Sequence, residues 1–304
     1  MTFVSHIKEI HIEPTTVCQA ECSMCPRTVA GYHLDKNKNT EIDLNMFKTL
    51  IGPYISSLEK ILFCGVLGDP AASKDLLKMI EWSIEQNNNI VIGMNTNGGL
   101  RNGQWWEKLA QLTRENIFSY VVFSIDGLED TNHIYRKNVV WKNLIENAKS
   151  FIDNGGNAQW DSLIFKHNQH QVEEMKQLAQ SLKFNIFRIK VSSRFTGDDK
   201  VGPPDGGVPV IESTEFSCMA VRTGTLYLSA AGKWYPCCHI HNAESFNQFE
   251  NWGFPIVDVD SRNIEWKSLE QRIDKKDMLP DVCKRSCGTT EKTKQWVNEW
   301  NLNV

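Results

Sequence analysis

The residues best placed to do chemistry are three cysteines in one short run, Cys18, Cys22 and Cys25 of CQAECSMC. Three thiolates from one loop are one ligand short of a closed cluster site, so a cubane held there keeps one iron open to a small molecule. That arrangement points first to an enzyme. Structural zinc competes, but zinc closes with four ligands, commonly two CxxC-like pairs, and no fourth ligand follows Cys25 closely. A disulfide scaffold fits poorly, because 9 cysteines are spread over 304 residues with no apolar leader after Met1. The thiols are expected to be reduced, in a cytoplasmic protein.

A second set follows much later: Cys218, Cys237, Cys238, Cys283 and Cys287. Thr225–Ser229 and Lys233–Pro236, joined by Ala-Ala-Gly, read as a β-hairpin with Cys237 at its end, and Cys283 and Cys287 form a C-x3-C pair before a final tryptophan-rich helix. Four thiolates delivered in this way suit a fully cysteine-ligated [4Fe-4S] cluster, and they also suit zinc. Cys237 and Cys238 compete for one ligand place; spacing favours Cys237, with Cys238 as substitute or packing. Cys64, inside an apolar strand, reads as a small buried hydrophobe. His167 and His170 form H-x2-H where a polar loop enters a helix, with no carboxylate or cysteine nearby to complete a metal site.

These residues need a frame, and 304 residues at 41% hydrophobic provide one α/β domain plus a smaller unit. Strands are expected at Ile7–Glu13, Lys60–Cys64, Ile90–Asn95, Tyr120–Asp126, Trp160–Phe165 and Ile186–Val191. Helical patterns lie between them at Leu44–Leu58, Lys74–Gln86, Gln104–Arg114, Trp141–Asp153 and Gln171–Leu182. The alternation implies right-handed βαβ units on a parallel sheet. Six units in about 190 residues fall short of the roughly 250 of a closed eightfold barrel, so an α/β, partial (β/α)6 TIM-like barrel is expected. The ten tryptophans are scattered and read mostly as packing. A net charge of −4 without a lysine/arginine block argues against nucleic-acid or anionic-membrane partners. No apolar run is long enough to span a membrane.

In such barrels the chemistry collects after the C-terminal ends of the strands. The cysteine loop follows strand one. Gly65–Pro70 follows strand two, where Gly68 permits close backbone approach and Asp69 offers an acceptor for an ammonium; a plain strand-to-helix turn explains the same residues. Asn95–Gly99 follows strand three and Ser124–Gly127 strand four; each alone suits an ordinary turn. On strand six, alternation puts Arg188 and Lys190 on one face, candidates for a carboxylate of a ligand or substrate if that face is closed, and merely solvated if it is open. Residues 196–216, rich in glycine, proline and aspartate, read as a linker or a lid.

C-x3-C-x2-C with Met24 before the last cysteine resembles the signature of the radical S-adenosylmethionine (SAM) superfamily. The resemblance implies a [4Fe-4S] cluster on Cys18, Cys22 and Cys25 whose open iron chelates SAM, with Met24 near the adenine. Gly68-Asp69-Pro70 is similar to the family's GGEP-type motif for the SAM amino group, although Leu67 and Asp69 depart from it. TNG and SIDG at the next two strand ends resemble enzymes of the family with C-terminal cluster domains, which implies SAM contacts by Asn97 and Ser124 and a weaker one by Asp126. The second cysteine set resembles the twitch domain, a shortened SPASM domain, and implies one auxiliary [4Fe-4S] cluster on Cys218, Cys237, Cys283 and Cys287. The implied division is a radical SAM core at 1–195, the linker or lid, and a twitch/SPASM-like domain at 217–304.

The activity this implies is reductive cleavage of SAM to a 5′-deoxyadenosyl radical, with an electron from flavodoxin or ferredoxin, followed by hydrogen abstraction. An auxiliary cluster favours net oxidation of a small molecule or carbohydrate, as in the aminocyclitol dehydrogenase. The alternatives are a maturase that oxidises, crosslinks or epimerises a ribosomal peptide and, in another class, a non-catalytic iron–sulfur or zinc electron carrier or sensor. A first strand starting almost at Met1 leaves no room for an N-terminal peptide-recognition domain, which tips the expectation toward the small molecule.

Overall fold

The computed structural model describes residues 7–192, 194–195, 201–207, 218–244, 283, 287 and 298–302. Six strands arise where the apolar runs are: β1 (Glu9–Ile12), β2 (Lys60–Phe63), β3 (Val91–Thr96), β4 (Tyr120–Ser124), β5 (Ala158–Leu163) and β6 (Ile186–Lys190). They pair in parallel in chain order, β1 with β2 through to β5 with β6. Ile10 and Ile12, Ile61 and Phe63, and Phe187 and Ile189 are buried on the side that meets the helices. The alternate positions on the other side include the polar Glu9, His11, Gln159, Asp161, Arg188 and Lys190. The sheet does not close. It is therefore the expected open partial barrel.

Helices α1 (Pro26–Val29), α2 (Leu44–Ile51), α3 (Leu76–Gln86), α4 (Gly103–Thr113), α5 (Asn132–Tyr135), α6 (Trp141–Asp153) and α7 (Val172–Ser181) connect these strands. Side chains cap several of them: Asp43 accepts from the Met46 amide and Asn102 from the Trp105 amide, replacing intrahelical partners the first turn lacks. The apolar stripe of α2 extends to Leu58, but the helix stops at Ile51, because Gly52-Pro53 follows and the proline ring cannot continue the ladder. Tyr54, Ile55 and Leu58 are buried all the same, from turns. Trp106, Trp160 and Trp234 are among the largest fully buried side chains, as packing residues should be.

Beyond the core come α8 (Met219–Thr223), β7 (Thr225–Leu228), β8 (Trp234–Tyr235) and α9 (Cys238–Glu244). β7 and β8 form the expected antiparallel hairpin. β7 also pairs in parallel with β1, and so extends the barrel sheet at its first edge. At the other edge β9 (Asn298–Asn301) runs antiparallel to β6. This corrects the expectation of a final helix for residues 298–301. Trp300 stacks on Phe187 at 5.5 Å and Glu299 meets Arg188 at 3.3 Å, contacts that a strand at this edge gains and a local helical pattern does not reveal. The remaining residues of that expected helix, 288–297, lie outside the described residues. Of the expected linker or lid, 201–207 are described and lie on the loop after β5, where Lys166 donates to the Gly202 carbonyl at 3.0 Å and Gln169 to Asp205 at 2.6 Å.

Candidate functional site

The loop after β1 carries Cys18, Cys22 and Cys25, and it is held at several points. Cys25 caps α1, its amide donating to the Cys22 carbonyl at 3.0 Å. Arg27, buried, donates to the Thr16 carbonyl and to Asn39. Met24 is buried in the main core beside Cys22. All three cysteines are free thiols. Burial pushes Cys18 well above its ordinary value, and the charges of Asp69, Cys22 and Cys25 add to the shift. Cys22 is pushed up to about 11 by burial, against the lowering effect of Arg136. Cys18 and Cys22 thus hold their protons, and a bound cation would reverse that preference.

The loop after β2 packs on this one at van der Waals limit. A Cβ on Gly68 would stand 1.9 Å from the Thr15 carbonyl oxygen, and the Asp69 amide donates to the Val17 carbonyl at 2.9 Å. Glycine at 68 is thus required for close approach. Asp69 is buried, and its carboxylate accepts from Thr96 Oγ1 at 2.8 Å, the Asn97 amide at 2.7 Å and the Ala71 amide at 2.9 Å. Both of its oxygens are occupied by protein donors, so it acts here as the knot between two strand ends rather than as an open acceptor. Pro70 opens the short 3-10 turn that Asp69 caps.

Asn97 faces the cysteines. Its side-chain amide lies 3.5 Å from Cys18 Sγ, and its carbonyl oxygen accepts from Gln19 at 2.7 Å. Ser124 ends β4, half-buried, in register with Asp161. Asp126 is fully buried and bonded on every side: Arg136 Nε at 2.6 Å, the Leu163 amide at 2.6 Å, and through its own amide to Asn132 at 2.8 Å. It closes the turn after β4, as its weaker candidacy allowed.

Arg188 and Lys190 share a face as alternation requires, and Asp161 of β5 takes both, at 2.6 and 2.5 Å; Gln159 accepts a further bond from Arg188 at 2.6 Å. Their counter-ion is therefore a neighbouring strand's carboxylate. His167 stacks on Phe165 at 5.3 Å, a packing role.

The second set of cysteines gathers around the hairpin's end. Burial pushes Cys237 well up, with Cys238 and Cys283 adding to it; Cys283 reaches about 12 by burial, with Cys287 and Cys218 contributing. Cys64 and Val66 pack in the same small cluster as Cys237, Cys238 and Cys283. Cys64 is thus buried as expected, but against the second cysteine set rather than in the main core. Among the described residues no three His, Cys, Asp or Glu side chains stand in a ligating arrangement. The donor chemistry nevertheless suits iron–sulfur ligation: soft thiols only, reduced, in two groups, one from a single loop and one from the hairpin region.

Sequence reasoning missed four residues here. Gln19 acts through Asn97, and Glu13 and His241 through each other, all far apart in the chain, whereas Arg136 meets Asp126 across the turn after β4; only a charged residue ending an apolar strand, as Glu13 does, left any local signal.

The chain has an open, mainly parallel barrel sheet with a cysteine loop after its first strand. Solved structures with bound SAM share this fold. SuiB of Streptococcus suis bound to S-adenosylmethionine matches at TM-score 0.58 and 16% identity, over 78% of this chain and 61% of that one. The anSMEcpe protein with bound AdoMet matches at 0.55 and 13%, over 76% and 71%. BtrN in complex with AdoMet and 2-DOIA matches at 0.50 and 14%, over 96% and 98%. The chain spans about three fifths of the length of the SuiB chain. No protein-family model and no curated protein sequence matches it. Among the described residues no helix is long and apolar enough to cross a membrane.

Proposed function

We propose that the chain is a radical SAM enzyme that abstracts hydrogen from a small molecule or carbohydrate and leaves it oxidised. The observation that carries this reading is the convergence of the first three strand ends: Asn97 touches Cys18, and Asp69 ties Asn97 and Thr96 to the loop that packs on the cysteines. Shared fold with three SAM-bound structures supports it. Cys18, Cys22 and Cys25 would hold a [4Fe-4S] cluster, which supplies the electron that cleaves SAM to methionine and a 5′-deoxyadenosyl radical. Cys218, Cys237, Cys283 and Cys287, with Cys238 as substitute, would hold a second one. Flavodoxin or ferredoxin is the proposed donor.

The chain's own residues do the positioning. Gln19 and Asn97 present amide groups beside Cys18, and Ser124 stands at the neighbouring strand end. The polar inner face, where Asp161 and Glu299 together balance Arg188 and Lys190, is suited to a hydroxylated substrate better than to an apolar one. The match along nearly the whole of BtrN, whose structure holds 2-DOIA, favours the small molecule; SuiB and anSMEcpe have also been solved with peptides, which keeps a peptide maturase as the second reading.

Two measurements test it. Iron and sulfide near eight per chain, falling to about four in Cys283→Ala/Cys287→Ala, support two clusters; four in both reject the second. Deuterium transferred into 5′-deoxyadenosine from a labelled aminocyclitol and not from a labelled peptide supports the small molecule, and the reverse supports the maturase.

A further inference from the structure

The two cysteine sets are joined by a buried link that neither cysteine motif announces. Glu13, one residue past β1, is fully buried. Its Oε1 accepts from the Leu67 amide at 2.6 Å and the Gly68 amide at 3.1 Å, so the carboxylate pins the loop after β2 by its backbone. Its Oε2 faces His241 Nε2 at 3.4 Å. The Glu13 amide donates to the Leu228 carbonyl at 2.9 Å, which ties the same residue to β7.

His241 belongs to α9, the helix that begins at Cys238, and its amide donates to the Cys237 carbonyl at 3.3 Å. The imidazole is buried, lying 5.3 Å from the Tyr227 ring and 4.7 Å from the Tyr235 ring, so two strands of the hairpin fix its plane. From Gly68 the chain of contacts continues through Thr15 and Val17 to Cys18. Every step is backbone or a buried side chain. A displacement of α9 therefore has no soft element in which to be absorbed before it reaches the loop at 65–70.

We infer that His241 is a positioning residue for SAM: through Glu13 it holds the Gly65–Pro70 loop in the shape that receives the ligand, and so links SAM affinity to the segment bearing Cys237 and Cys238. This rests on the proposed radical SAM reading. Removing the imidazole opens a cavity between two tyrosines and leaves Glu13 Oε2 with Tyr227 alone beside it, so the carboxylate that accepts from the Leu67 and Gly68 amides is held less firmly. A glutamine at 241 retains a donor that can reach Glu13.

The test uses the anaerobically reconstituted full chain, with SAM affinity measured by calorimetry and amide hydrogen exchange read at Leu67 and Gly68, for wild type, His241→Ala, His241→Gln and Glu13→Gln. The expected result is a loss of SAM affinity of about tenfold in His241→Ala and Glu13→Gln, with faster exchange at Leu67 and Gly68, unchanged iron bound at the first cysteine set, and substantial recovery in His241→Gln. Equal SAM affinity and equal exchange across folded variants overturn the assignment alone. Wild-type protein that binds no SAM overturns the functional reading and the assignment with it. Should His241→Ala not fold, His241→Leu, which fills the space between the tyrosines without a donor, decides: lost SAM affinity and faster exchange at Leu67 and Gly68 support the assignment, and wild-type values of both overturn it.

Discussion

The side-chain amide of Asn97 lies 3.5 Å from Cys18 Sγ, while the backbone amide of the same residue donates to Asp69 at 2.7 Å. The end of β3 is thus fixed to the loop after β2 and presents a hydrogen-bond donor to Cys18, one of the proposed cluster ligands. Donors to sulfur raise a cluster's reduction potential. Asn97→Ala is expected to keep the fold, to lower the potential of the first cluster in a redox titration, and to weaken SAM binding severalfold. An unchanged potential would show that Asn97 serves the turn alone.

Asp126 is fully buried and its partner Arg136 also lies against Cys22. Breaking a buried pair from one side strands a charge, at about 3–5 kcal/mol. Arg136→Met should show a loss of this size in urea denaturation of the apoprotein, and Arg136→Met/Asp126→Asn should regain part of it. Equal stability of the two variants would contradict the pairing.

Glu9, Lys60 and His11 meet at the start of β1, with Glu9 2.8 Å from Lys60 and 2.7 Å from His11. Burial alone would raise the Glu9 carboxyl, but the bonds to His11 and Lys60 prevail and hold it at about 2 against an ordinary 4.5. A depressed carboxyl contributes stability that is complete above pH 4.5 and is lost as pH falls toward 2. The full shift corresponds to about 3 kcal/mol. Solvent screening at this half-open site reduces it to about 1–2 kcal/mol. Glu9→Gln should cost that much at pH 7 and narrow the gap to wild type as pH drops from 4.5 to 2. A gap that widens on acidification would refute the assignment.

Much of this was legible before the structure, for physical reasons. Runs such as Lys60–Phe63 carry their own strand signal, and glycine and proline mark the loops that follow. β5 starts at Ala158, two residues before the expected Trp160, because Gln159 belongs to the strand through its bond to Arg188 on the polar inner face. The pairing of β7 with β1 and the strand at 298–301 come from partners far away in the chain, and tryptophans four apart at 296 and 300 imitate a helix. Asp69 reads in sequence as a ligand for an ammonium, yet its three donors are protein groups. The cysteine triplet was legible because one loop carries it whole. The link through Glu13 and His241 was not, because tertiary contact alone creates it.

Reductive cleavage of SAM by the Cys18, Cys22 and Cys25 loop, as proposed, has a direct assay. Anaerobically reconstituted protein, incubated with SAM and dithionite, is assayed for 5′-deoxyadenosine beside Cys18→Ala. 5′-Deoxyadenosine and methionine are expected from the wild type and none above background from Cys18→Ala. Equal background amounts from both proteins, with iron bound in the wild type, would contradict it.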